Sequence, residues 1–63
     1  MRDRRAATAR VLLVEDNRVN RLLLARHVEL LGHQVDMAED GLAALARLEA
    51  GSFDLMLMDI DMP

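Results

Sequence analysis

"RVLLVED", residues 10–16, decides how the rest of this chain is read. Val11, Leu12, Leu13 and Val14 are apolar at every position rather than at every second one, and the run ends on two carboxylates, Glu15 and Asp16. A strand with one wet face alternates. A strand that is apolar throughout belongs in a sheet covered on both faces, which is the usual situation of parallel strands. The segments that follow must therefore supply the covering layers.

Residues 17–31 have helical periodicity. At 100° per residue Arg18, Arg21, Arg26 and Glu29 fall within an arc of ~140°, while Val19, Leu23, Leu24, Leu30 and Leu31 share the other side, with Leu22 and Ala25 as exceptions. This predicts an amphipathic helix that buries its leucine side. Gly32 stands where a left-handed C-cap is wanted, and "HQVDMA" alternates as a short, half-exposed second strand. Asp40 is a suitable N-cap for "GLAALARLEA", a run of strong helix formers, and Gly51 a suitable stop. "FDLMLMD", residues 53–59, is the third strand, and its methionines read as core filling. Strand, helix, strand, helix, strand with short connections implies an α/β fold, a parallel sheet with right-handed crossovers.

Composition narrows the function. The chain has 63 residues and no cysteine, so no disulfide or thiolate metal site can reinforce a core this small. No apolar run approaches the ~20 residues of a membrane span, and no signal-peptide core follows the basic start, so a soluble, cytoplasmic chain is expected. Residues 1–10 carry four Arg and one Asp, whereas residues 11–63 carry four Arg and ten acids. Residues 1–9 read as a disordered basic leader, and residues 10–63 as the folded part. An acidic fold with Phe53 as its one aromatic residue lacks the footprint of a nucleic-acid binder.

Ligands of open parallel sheets bind beyond the carboxyl ends of the strands. Glu15 and Asp16 end the first strand, and Asp59 and Asp61 end the third. Adjacent strands would bring these acids together, and a hard, oxygen-ligated cation such as Mg²⁺ is the natural relief of their repulsion. His27 and His33 have no second His or Cys at ligand spacing and read as packing or surface residues.

The ordered set of features, an acidic pair before Asn17, "AEDG" at residues 38–41, and an aspartate after "FDLMLM" with Pro63 four positions later, resembles the first half of a response regulator receiver domain. The likeness runs from about Arg10 to Pro63. It implies a truncated flavodoxin-like, doubly wound sheet in the order two, one, three. It further implies that Asp59 accepts a phosphoryl group and is itself a Mg²⁺ ligand, that Asp16 ligates Mg²⁺ directly and Glu15 through water, and that Asp61 offers its backbone carbonyl. The implied partner is a histidine kinase or a histidine phosphotransfer domain, and the implied role is that of a phosphorelay module rather than an enzyme.

The family pattern continues with two further strands that carry a Ser or Thr and a Lys for the phosphoryl group. Here Thr8 and Ser52 are the only hydroxyl residues and Lys is absent, so a fragment with half of that site is expected. Two alternatives stand beside this reading. A haloacid dehalogenase-like phosphatase also places D-x-D after an apolar strand, but near its chain start; a non-catalytic assembly fragment is the other. The third strand, apolar on both faces, is expected to drive self-association.

Overall fold

A computed structural model describes residues 8–58. Its elements are β1 (Arg10–Val14), α1 (Arg18–Leu30), β2 (Gln34–Ala38), α2 (Gly41–Ala50) and β3 (Leu55–Met58). The sheet order is β2-β1-β3, with both neighbours parallel to β1. Val11 lies opposite Val35 and Leu55, and Val14 opposite Ala38 and Met58. The expected strand, helix, strand, helix, strand order and the adjacency of the first and third strands are both realised.

The apolar run of β1 is central and buried, with Leu12 fully inaccessible. Residues paired across a parallel ladder share a face, so the sheet has two distinct sides. Leu12, Val14 and Ala38 cluster with Ala44 of α2, and Ala43 and Phe53 pack against them. Val11 and Leu13 take the other side, where α1 buries Ala25 and Val28. The two crossovers run in opposite directions across the sheet, and right-handed connections then force the helices onto opposite faces. Among the described residues the backbones of α1 and α2 approach those of β1 and β2 but neither each other nor β3.

Both helices begin on side-chain caps: Asp40, which the sequence marks as one, and Asn17, which the periodicity includes in the helix itself. Asn17 Oδ1 accepts from Asn20 N at 3.0 Å, and Asp40 Oδ1 accepts from Ala43 N at 2.8 Å. Each satisfies one of the donors that a helix start leaves open. The end of α1 is a Schellman turn: Gly32 N donates to Glu29 O at 2.9 Å and His33 N to Val28 O at 3.3 Å, with Gly32 at φ +97°. Gly32→Ala should cost ~1–2 kcal/mol through that dihedral, because open space surrounds the position. Asp40→Ala should cost ~1 kcal/mol through the lost cap. Urea midpoints at unchanged slope would measure both.

The buried side of α1 differs from the one that periodicity selects. Val19, Leu23, Leu30 and Leu31 are exposed, and Ala25, an exception in the pattern, is buried. Small Ala25 lets the helix backbone approach the sheet. Among the described residues nothing covers the leucines on the far side, because the α1 backbone approaches β1 and β2 alone. The methionines of β3 also depart from expectation: Met56 and Met58 are exposed rather than core-filling. The third strand itself begins at Leu55 rather than at Phe53, and Asp59, at the far end of the expected strand, lies outside the described residues. At its start Asp54 turns back, its Oδ2 accepting from Arg10 N at 2.9 Å.

Arg10 ties together the amino-terminal end of the sheet. Its guanidinium stands 4.9 Å from the Phe53 ring centroid and 3.4 Å from Asp36 Oδ2. Exposed ion pairs contribute little, so the packing of the Arg10 stem and its planar head matters more here than the charge. His33 helps at the same end, its Nδ1 accepting from Ala9 N at 2.9 Å.

Candidate functional site

Parallel strands all present their carboxyl ends on one edge, and the β1 and β3 ends lie side by side through the Val14–Met58 pair. Beyond Val14 the chain turns into the loop before α1. Glu15 is buried at 3% exposure, and its Oε2 accepts from Asn17 N at 2.9 Å. Its backbone carbonyl accepts from Arg21 Nη1 at 2.8 Å. A buried carboxylate needs such donors to offset lost hydration. The two bonds also fix the loop between strand and helix. Asp16, the next residue, is exposed on this edge.

A cavity of about 280 Å³ opens here, and Glu15, Asp16, Glu39, Asp40 and Met58 are among its lining residues. Glu39 and Asp40 come from the loop after β2, beside β1 at the same edge. Their place on the rim was legible only in part: the sequence marks Asp40 as a helix cap, and the topology brings it to the cavity as well. Of the predicted site residues, Glu15 and Asp16 stand together at the cavity. Asp59 and Asp61 lie outside the described residues, although Asp59 directly follows Met58 in the chain.

The donors on this rim are carboxylate oxygens, the ligand type that suits Mg²⁺ or Ca²⁺ rather than a soft metal. They line the cavity without converging. Among the described residues no three His, Cys, Asp or Glu side chains come together as a metal-holding group. Glu15 and Asp16 thus fit an open Mg²⁺ site that takes one or two protein carboxylates, and they do not form a closed cage. Neither His27, whose Nδ1 is 3.2 Å from Leu23 O, nor His33 at the opposite end of the sheet lies at this edge. Among the described residues no helix is long and apolar enough to cross a membrane.

Comparison with known proteins agrees with this geometry. The family model described as the response regulator receiver domain matches residues 11–63. Probable histidine kinase 1 of Oryza sativa subsp. indica is 42% identical over 55 residues, which is 87% of this chain and 6% of that protein. Sensor protein EvgS of Escherichia coli K12 is 43% identical over 53 residues, 84% of this chain and 4% of that protein. Among solved structures, chemotaxis protein CheY4 of Vibrio cholerae superposes with a TM-score of 0.81 at 35% identity, covering 90% of this chain and 48% of its own. Response regulator TrrA of Thermotoga maritima, solved in complex with Mg²⁺ and BeF, gives 0.78 at 39% identity, covering 86% and 47%. The chain therefore spans about half the length of these solved relatives and a few per cent of the sensor kinases. With β1, its two acids and the parallel β2-β1-β3 sheet all in place, the chain belongs to the response regulator receiver domain family.

Proposed function

We propose that this chain carries the acceptor part of a phosphorelay receiver, in which the Asp59 carboxylate takes a phosphoryl group from a phosphohistidine. The observation that supports this most is the adjacency of the β1 and β3 carboxyl ends, which sets Glu15 and Asp16 next to the position where the chain continues into Asp59. In the reaction an Asp59 oxygen attacks phosphorus, an O–P bond forms, the P–N bond to the imidazole breaks, and the leaving imidazole takes up a proton. Glu15 and Asp16 hold negative oxygens at the rim, where Asp16 would hold a Mg²⁺ ion directly and Glu15 would hold it through water. The Asp59 carboxylate and the Asp61 backbone carbonyl would complete its protein ligands. A bound Mg²⁺ would neutralise charge on the transferring oxygens. The partner is a histidine kinase or a histidine phosphotransfer domain in the cytoplasm. A receiver assists its own modification only as the complete domain, and this part of one turns over no separate substrate.

The test is incubation with a small phosphoramidate with and without Mg²⁺, followed by peptide mapping. A Mg²⁺-dependent phosphoryl adduct on the peptide that contains Asp59 supports the proposal, and an adduct confined to other residues refutes it. Metal binding can be read separately. Millimolar Mg²⁺ should move the amide resonances of Glu15 and Asp16, and Asp16→Asn should weaken the apparent affinity by about tenfold, the scale of losing one charged ligand's contribution of ~1.4 kcal/mol. Unmoved Glu15 and Asp16 signals would exclude this rim as the cation site.

A further inference from the structure

Helical periodicity assigns all the arginines of α1 to the polar arc. Arg18 and Arg26 are exposed as that pattern requires, whereas Arg21 is half-buried. Its Nη1 donates to the Glu15 backbone carbonyl at 2.8 Å. The sheet itself cannot serve that carbonyl. Gln34 N donates to Ala9 O and Glu15 N to Ala38 O, both at 3.0 Å, so the next bond of the parallel ladder would run from residue 40 to Glu15 O. Asp40 is instead the N-cap of α2, with its side chain and its carbonyl bonded to Ala43 N and Ala44 N. Glu15 is 3% exposed, and a buried carbonyl without a donor is costly. Arg21 supplies the donor that β2 no longer offers.

We propose that Arg21 is a positioning residue of the acidic rim, acting through the peptide group that joins Glu15 to Asp16. This rests on the cation site proposed above and adds a residue to it. A peptide group is planar, so holding its oxygen fixes the plane and with it the direction in which Asp16 leaves the strand. Asp16 is exposed, and no hydrogen bond or ion pair holds its carboxylate among the described residues, so the backbone sets its place. Glu15 is tied at its N–H to Ala38 and at Oε2 to the Asn17 N–H. The first tie fixes the strand and the second the Glu15 side chain; the bond from Arg21 fixes the peptide between the two acids. An arginine paired with the Asp16 carboxylate would compete with a cation for its oxygens. Arg21 directs its donor to a carbonyl, and Asp16 keeps both oxygens for the cation.

The guanidinium also lines a cavity of about 350 Å³ together with Glu39 and Arg47. The Arg47 guanidinium makes no hydrogen bond or ion pair among the described residues, so it is a neighbour of equal charge without the grip. The grip lies on β1, α1 and β2, and no part of it on β3.

Titration with Mg²⁺ alone, followed through the Asp16 amide resonance, separates positioning from mere charge because the two have opposite signs. Removing a positive charge beside a cation site favours the cation. Removing a group that orients a ligand weakens binding, and Arg21→Met should lower the apparent Mg²⁺ affinity about tenfold. Arg47→Met should leave it unchanged or slightly tighter. Arg21→Lys should recover it to within about threefold, because one ammonium donor can replace a single Nη1 bond where no bidentate pair is made. Circular dichroism checks that each variant is folded, and Arg21→Gln, too short to reach as far, gives the same comparison where Arg21→Met does not fold. Unchanged or tighter Mg²⁺ binding in the variants of Arg21 would overturn the proposal, as would equal weakening by Arg47→Met.

A measurement without metal keeps this inference apart from the cation site. In the metal-free chain Arg21→Met should shift the Asp16 amide resonance and lower its nitrogen-15 order parameter, while the Glu15 N–H stays protected by Ala38 O. An unmoved, equally ordered Asp16 amide would overturn the grip even if the unmodified chain binds Mg²⁺. Glu15 and Asp16 amides that ignore Mg²⁺ in the unmodified chain would instead refute the cation site, and with it the part assigned to Arg21.

Discussion

Leu12→Ala is expected to cost the chain about half of its folding free energy. Leu12 is the fully buried centre of the sheet, facing the cluster of Val14, Ala38 and Ala44. Large-to-small changes at such sites cost ~2–5 kcal/mol, through the lost transfer energy and the cavity left behind. Natural domains keep only ~0.05–0.15 kcal/mol per residue, so a chain of this length holds on the order of 3–9 kcal/mol. The substitution removes about half of that. Leu30→Ala makes the control, because Leu30 is 75% exposed and should change stability by no more than ~0.5 kcal/mol. Denaturant melts of both variants decide the matter, and comparable losses would mean that the core is not centred on β1.

Asp59→Asn is expected to abolish Mg²⁺-dependent phosphoryl acceptance from a phosphohistidine donor. An amide is not a nucleophile toward phosphorus and is a poor ligand for a hard cation, so one change removes both contributions. Asp54→Asn separates this from a fold effect. Asp54 lies at the opposite end of β3, five residues away at ~3.3 Å each, and holds the Arg10 backbone N–H. That variant should keep the Asp59 adduct while losing at most ~0.5–1.5 kcal/mol of stability from the weakened, exposed hydrogen bond. Intact-mass measurement after exposure to the donor reads the first effect and a urea melt the second. A persisting adduct in Asp59→Asn would move the acceptor to another carboxylate.

Much of this architecture is legible in local chemistry. The unbroken apolar run at residues 11–14 marks the central strand, Gly32 marks a left-handed cap, and Asp40 marks a helix start; each requirement involves only a few neighbouring residues. What periodicity alone misjudges depends on partners remote in sequence. The leucine side of α1 seemed the natural face to bury, yet a helix packs where a neighbour exists, and α1 meets β1 and β2 through Ala25 and Val28. The methionines of β3 read as core residues, and among the described residues no layer covers them. The Arg10–Phe53–Asp36 contacts join three segments whose proximity follows only from the sheet order. The site divides likewise. Glu15 and Asp16 are readable as acids at a strand end, whereas Glu39 on the rim becomes visible only once β2 is known to flank β1.

Because β1 is the middle strand and both its ladders are parallel, no hairpin can start this fold. Arg10 must first find Gln34, a separation of 24 residues (34 minus 10), whereas Val11 must find Leu55 across 44 (55 minus 11). Loop-closure entropy grows slowly with length, so doubling a loop costs only ~0.6 kcal/mol more. The two ladders differ more in what they gain on closing. The β1–α1–β2 unit brings a helix with it and buries Ala25 and Val28, while β3 adds a strand that neither helix covers. The connectivity therefore predicts an order of assembly, in which the β1–α1–β2 unit closes first and the strand that leads into Asp59 docks onto the edge it offers; pulse-labelled amides of β3 protected before those of β2 would contradict it.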